Sequence, residues 1–277
     1  MDPGPIRDVL TVLVGVGTGV LSASFGVGGA VVSTPAIRAL GVPALLAVGT
    51  TLPSIFPSAL TGTARYVKED LILWRVVATT APAGILSAVV GGKLAPHVPG
   101  EGHLLMVLTA LLLGYTSWRM RRRPPTAATP ETGVASGGAP PAHGRNGTSA
   151  ERTDGGRAWV LVAVGALAGL MSGLLGIGGG TVMVPGFTVL GKLPLKTTIA
   201  TSLACVAIFA IPSTVTHAID RNIDWRIALF LTIGVMPGAR IGAAAAMKAS
   251  DEGLRKAVAT FLGIVAAVYL VGELIAL

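Results

Sequence analysis

Long stretches of this chain contain no Asp, Glu, Lys or Arg, and no other feature narrows its folding options as much. Val9 to Ile37, Leu40 to Ala64, Val76 to Gly92, Gly102 to Trp118, Ala158 to Gly191, Thr197 to Ile219 and Ala257 to Gly272 are uncharged, and Ile227 to Met247 is interrupted only by Arg240. Crossing the ~30 Å hydrocarbon core of a bilayer takes roughly 20 apolar residues, so these runs read as membrane-crossing segments. With 52% hydrophobic and 12% charged residues, the chain has too little polar surface to cover a water-soluble globule of its length. Lipid cannot satisfy open backbone groups, and the runs are too long for barrel strands. The expected fold class is therefore an all-α polytopic membrane protein.

The net charge of +8 would suit nucleic acid, but the basic residues stand at the ends of apolar runs and not along one soluble face. That is the pattern of a topology signal, and no nucleic-acid partner is expected. Met1 to Asp8 carries Arg7 beside Asp2 and Asp8. It lacks the positive flank of a signal peptide, so the first run is expected to be mature structure. The one cysteine, Cys205, excludes an intrachain disulfide and fits a small core residue.

The chain repeats itself. Gly26-Val27-Gly28-Gly29 with Pro35 recurs as Gly176-Ile177-Gly178-Gly179 with Pro185 at identical spacing, and Gly15, Gly19 and Ser22 match Gly165, Gly169 and Ser172. After one residue of slippage Pro43 matches Pro194, Thr50 matches Thr201, and Trp74-Arg75 matches Trp225-Arg226. A further gap pairs Pro82 with Pro237 and Lys93 with Lys248. Matches in one order across both halves indicate duplication, an arrangement common among transporters.

Between the halves, Arg119 to Arg157 turns to Pro, Gly, Ala, Ser and Thr after the basic cluster Arg119, Arg121, Arg122 and Arg123. Such a segment buries too little apolar surface to offset its ordering entropy. The domain reading is thus a first transmembrane repeat over 1–118, a mobile cytoplasmic linker over 119–157 and a second transmembrane repeat over 158–277, in the inner (plasma) membrane.

Each half reads as about four apolar elements. Their expected bounds are a long opening segment to about Ala39, then Pro43 to Tyr66, Arg75 to Leu94 and His103 to Trp118. In the second half they are Trp159 to Leu190, Pro194 to Ile219, Arg226 to Lys248 and Leu254 to Ala276. Four crossings per half predict parallel halves with both termini and the linker in the cytoplasm. That arrangement leaves Lys93, Lys192, Lys196, Lys248, Arg255 and Lys256 facing outward, against the usual charge bias. An odd number inverts the halves, and the sequence leaves both open.

The opening segments, about 29 and 34 uncharged residues, exceed one crossing but fall short of two. Breaks are expected at Gly26 to Gly29 and at Gly176 to Gly180, because consecutive glycines weaken a helix and permit backbone angles other residues avoid. A helix restarting after a break presents unpaired N–H groups and the positive end of its dipole, a combination that favours an anion. Gly26, Gly28, Gly29, Gly176, Gly178, Gly179 and Gly180 are therefore candidate substrate-binding residues. The competing reading is close helix packing, which is the preferred one for the regular stripes Gly15, Gly19, Ala23 and Gly165, Gly169, Gly173. A dinucleotide fingerprint is not expected, since it needs a strand before the glycines.

The duplicated Gly-Xaa-Gly-Gly followed by Pro, then a Thr-bearing helix, then Trp-Arg resembles the TauE/SafE family of sulfite and organosulfonate exporters. The resemblance covers nearly everything except the linker. It implies a permease for small, often sulfur-containing anions, and it identifies the family better than the cargo.

Thr50, Thr51, Thr201 and Ser202 stand at matched positions early in the following helices, where they either donate to substrate oxygens or bond to backbone. Arg240, the one charge inside Ile227 to Met247, is either a substrate counter-charge or a residue that snorkels to an interface. His217 and Arg65, near helix ends, fit interfacial positions, and Trp74, Trp118, Trp159 and Trp225 fit interfacial anchors. No paired carboxylate or His/Cys ligand spacing lies within a membrane run, so no catalysis, metal or cofactor is expected. Lacking Gly-Xaa4-Gly-Lys-Ser/Thr, the chain is not expected to hydrolyse ATP. The expected function is a secondary transporter of small anions, sulfite, organosulfonate or a related sulfur oxyanion. Its partners are the anionic substrate and membrane lipids, and a coupling proton or ion is compatible with it. The alternative is an anion channel using the same glycine-lined site.

Overall fold

A computed structural model describes residues 4–97, 155–176, 178–191 and 193–276, together with positions 107, 110, 111, 113–115, 117, 118 and 121. Nearly all of the expected linker lies outside the described residues. The helices are α1 (Pro5–Phe25), α2 (Ala30–Ala39), α3 (Ala44–Val67), α4 (Trp74–Leu94), α5 (Gly155–Leu175), α6 (Gly180–Pro185), α7 (Leu195–Ile219), α8 (Trp225–Lys248) and α9 (Asp251–Ala276). The described positions from 107 to 121 are helical as well, and no strand occurs among the described residues. Seven of these helices, α1, α3, α4, α5, α7, α8 and α9, are long and apolar enough to cross a membrane. Large side chains such as Leu86 and Ile219 lie more than 70% exposed on their outer faces. That exposure suits lipid and would be costly in water.

Both opening segments break where the glycines stand. α1 ends in a left-handed cap at Gly26 (φ 67°), whose N–H bonds to Ser22 O at 2.8 Å, and α5 ends in the same way at Gly176 (φ 64°), whose N–H bonds to Ser172 O at 2.9 Å. Only glycine enters this conformation at low cost. The chain then folds back. A Cβ placed on Gly29 would fall 2.7 Å from Thr18 Cγ2, and one on Gly179 would fall 2.6 Å from Ala168 O. Residues eleven positions apart would lie about 16 Å apart in a continuous helix, so α1 with α2, and α5 with α6, form hairpins. The second hairpin completes its return with a π turn over Gly186–Leu190, closed by Gly191 N–H to Gly186 O at 3.1 Å. A π turn holds one extra residue, and it lies in the interval where the two halves slip by one.

The halves pack reciprocally. On α1, Gly15 lies against the backbone of Leu231 and Gly19 against that of Val235, both on α8. On α5, Gly165 lies against Thr80 and Gly169 against Gly84, both on α4. Any side chain at these glycines would run into backbone, so the small-residue stripes are packing surfaces, as expected. Leu231 and Val235 stand from Thr80 and Gly84 at the same offset as Trp225 from Trp74, so the register continues without a gap through α4 and α8. The pairing of Pro82 with Pro237 and Lys93 with Lys248 does not hold, and Arg240 corresponds to Val89. A four-residue shift is close to one helical turn and keeps the same face inward, which is why the sequence pattern fits both registers.

Contacts also set the directions of the helices. Gly234, Gly238 and Gly242 meet Val12, Val16 and Val20 in turn, so α1 and α8 run parallel, as α4 and α5 do through Thr80, Gly84 and Ala88 against Gly165, Gly169 and Gly173. Arg226 pairs with Asp8 at 2.7 Å, and Asp224 N–H donates to Thr50 Oγ1 at 2.9 Å. The starts of α1, α3 and α8 therefore share one face. Leu73 N–H donates to Thr201 Oγ1 at 3.2 Å, which sets the starts of α4 and α7 together on the other face. Since α3 runs toward the face where α4 begins, α3 and α7 are antiparallel and the halves are inverted. Each hairpin returns to the face it entered from, so neither opening segment is a full crossing.

Candidate functional site

The two hairpins enter from opposite faces, and their tips meet. A Cβ on Gly178 would lie 3.5 Å from Gly28 Cα and from Ile55 Cδ1, and 3.4 Å from Val206 Cγ1. Ile55 and Val206 are at the midpoints of α3 and α7, so the two glycine loops touch at the centre of the molecule. A Cβ on Gly180 would run into the carbonyl region of Gly26 and Val27. Val27, Ala30, Val31 and Val182 are each at most 6% exposed.

Among the described residues, the N–H groups of Gly28 to Val31 find no backbone acceptor, and neither do those of Gly178 to Thr181. No side chain caps α2 or α6. Buried N–H groups are almost always paired, so a cluster of bare ones at a helix start marks a place for an acceptor from outside the chain. The dipole of α2 adds roughly half a positive charge at Gly29. Gly28 (φ 82°), Gly178 (φ 84°) and Gly179 (φ 70°) are left-handed, whereas Gly29 is helical with φ −64°.

The matched hydroxyls near the tips are occupied by the backbone. Thr50 Oγ1 and Thr201 Oγ1 accept the N–H groups of Asp224 and Leu73, which tie α3 to the start of α8 and α7 to the start of α4. Thr51 donates to Val48 O at 2.9 Å and pairs with Thr34 Oγ1 at 3.3 Å. Ser202 donates to Gly26 O at 2.8 Å and so fixes the first loop from the opposite half. Arg240 does not join this group: the glycine loops are buried and Arg240 is exposed on α8.

Two residues at the first tip escaped the sequence reading. Thr18 Oγ1 and Ser22 Oγ on α1 are buried without a hydrogen-bond partner. They reach the site only because the chain folds back, which no local pattern reveals. His217 is also placed differently from its expected interfacial position. It is 1% exposed, and its Nε2 pairs with Gly173 O at 3.3 Å. Its counterpart Tyr66, equally buried, donates to Ala23 O at 2.8 Å. Both residues fasten the end of a central helix to a hairpin, so the repeat fixes the burial that helix-end position alone did not. Trp74, Trp118, Trp159 and Trp225 are 49–66% exposed, as interfacial anchors require.

The sequence matches known proteins along most of its length. It is 26% identical to the "Probable membrane transporter protein YunE" of Bacillus subtilis over 85% of this chain and 87% of that one. It is 27% identical to a "Probable membrane transporter protein" of Xylella fastidiosa over 83% and 80%, and 23% identical to one of Methanocaldococcus jannaschii over 92% of each. No solved structure gives a significant match. The family model described as "Sulfite exporter TauE/SafE" matches residues 11–269, and with this coverage the chain belongs to the TauE/SafE family of multi-pass membrane transporters.

Proposed function

We propose that this transporter carries a small oxyanion of the sulfite or organosulfonate class, held at the meeting point of the two hairpin tips. The observation that carries this reading is the buried N–H groups of the two tips, which find no backbone acceptor among the described residues, at the centre of an inverted repeat. An anion with several acceptor oxygens satisfies such donors, and a cation does not. The family name supports sulfur oxyanions as cargo. Broken helices meeting at mid-depth also suit alternating access, because small movements of either hairpin open the tips toward one face or the other.

The charge distribution supports an orientation. Arg65, Lys68, Arg75, Lys196, Lys248, Arg255 and Lys256 lie on the face where α4 and α7 begin, and Arg121, near the start of the linker, reaches Thr260 in the first half of α9 on the same side. Arg7, Arg38, Lys93, Arg221 and Arg226 lie on the other. Inversion thus gathers on the linker's face most of the lysines that parallel halves would have turned outward, which supports a cytoplasmic linker.

Proteoliposomes loaded with sulfite, sulfoacetate or thiosulfate test the proposal. Saturable flux of at least one of them, driven by its own gradient or by a pH gradient, is expected. Absence of flux for all of them would refute the anion assignment, and unitary currents in planar bilayers would replace the carrier by a pore. Protease added to inside-out vesicles should cut between Pro124 and Thr153, and protection in that orientation would reverse the assigned faces.

A further inference from the structure

We propose that the two tips are not equivalent and that the anion is seated in the first half, on the N–H groups at the start of α2 with the hydroxyls of Thr18 and Ser22 as additional donors. This assignment rests on the anion-transport reading above and names the side chains that would recognise the cargo.

Thr18 and Ser22 stand one helical turn apart on the same face of α1, 1% and 3% exposed, and neither hydroxyl oxygen has a partner. Both border the start of α2: a Cβ at Gly29 would lie 2.7 Å from Thr18 Cγ2 and 3.8 Å from Ser22 Oγ. Burying a hydroxyl without a partner costs free energy, and here two lie beside a helix start whose N–H groups are also bare. All of these groups are donors that lack an acceptor among the described residues. A helix of ten residues, α2, stands behind them.

The second half shares the bare N–H groups but lacks both unpaired hydroxyls, each through a specific residue. Thr18 is matched by Ala168, which has no hydroxyl. Ser22 is matched by Ser172, but Ser172 Oγ lies 3.5 Å from Ser213 Oγ, and Ser213 corresponds to Gly62 in the first half. Ser22 is therefore unpaired because its counterpart's partner has been replaced by glycine. Gly29 lies against the side chains of Thr18 and Ser22, whereas Gly179 lies close to Ala168 O. A carbonyl oxygen repels an anion, whereas hydroxyls turn to donate to it. The first tip alone adds unpaired hydroxyls to its bare N–H groups.

A ligand offered two hydroxyl protons and several N–H groups must present multiple oxygens in a compact cluster, as sulfite and sulfonate groups do. A halide fits less well, since one centre cannot meet donors spread over two helices.

The test compares Ser22→Ala, Thr18→Val and their combination with Ser172→Ala, using purified protein, sulfite and sulfoacetate as probes, and chloride as the comparison. Without ligand, the two first-half substitutions should leave the melting temperature unchanged or raised, because each deletes an unpaired buried hydroxyl. Each should nevertheless weaken the apparent affinity, read from ligand-induced thermal shifts and from flux, by about tenfold or more. Ser172→Ala should leave affinity within about twofold of wild type by the same measure. A wild-type response to sulfite or sulfoacetate that survives the Thr18 and Ser22 substitutions unchanged would overturn this assignment alone. So would an equal loss from Ser172→Ala. No response of the wild type to either probe, in shift or flux, would overturn the transport reading and this assignment together.

Discussion

The first and second glycine loops share a sequence pattern, end their preceding helices with the same left-handed cap, and touch at the centre of the bundle, yet their surroundings differ. Gly26 is packed against backbone, with a Cβ there falling 2.9 Å from both Cα and O of Ile199. Gly176 has Val48 Cγ1 as its nearest neighbour, the end of a side chain. Ser202 holds the first loop through Gly26 O, while its counterpart Thr51 bonds within its own helix. Duplication gave the two halves one backbone plan. Single differences between the halves left two unpaired hydroxyls beside the first loop, where the second has Ala168 and a paired Ser172.

The largest effect that separates the loops should come from Gly26→Ala. It combines a left-handed conformation, costing about 1–2 kcal/mol, with overpacking against fixed backbone, costing about 1–3 kcal/mol. Gly176→Ala carries the same conformational cost, but Val48 can yield. Thermal melts of the two variants in detergent should put Gly26→Ala clearly lower, and the opposite ranking would break the comparison.

Next come the stripes, where the halves should behave alike. Gly19→Ala and Gly169→Ala each drive a methyl group into a facing carbonyl and should each lose about 1–3 kcal/mol. Substrate affinity of the folded fraction should not change. Unequal losses measured by denaturation would show that α1 with α8 and α5 with α4 are not reciprocal packings.

A smaller pair of effects is expected from Thr50→Val and Thr201→Val, which remove the acceptors of the Asp224 and Leu73 N–H groups. Each should cost about 1 kcal/mol, slightly more for Thr50 because its bond is 2.9 Å against 3.2 Å. Equal loss of substrate affinity in both would instead assign these hydroxyls to the cargo.

The smallest effect should be that of Arg240→Gln. An exposed residue with no counterpart charge at Val89 should change stability by no more than about 0.5 kcal/mol, with transport rates near wild type. A collapse of flux in vesicles would return Arg240 to the substrate path.

The sequence by itself determined that this chain lives in lipid, that it is helical, that it is duplicated, and that both opening segments break at their glycines. Each of these follows from local chemistry: uncharged length against bilayer thickness, the impossibility of open backbone in hydrocarbon, and the freedom of glycine to turn the chain. The tertiary structure decided what the breaks do. A broken helix can continue onward or fold back, and residues 18 and 29 are neighbours only in the second case. That reversal inverted the halves, moved Lys196, Lys248 and Arg255 to the linker's face, buried His217, and brought Thr18 and Ser22 to the tip. The same geometry left Arg240 outside and engaged Thr50, Thr51, Thr201 and Ser202 with the backbone. The cause is that hydrogen-bond partners are assigned by which helices become neighbours. A hydroxyl at a repeated position reads identically whether its counterpart across the interface is Ser213 or Gly62.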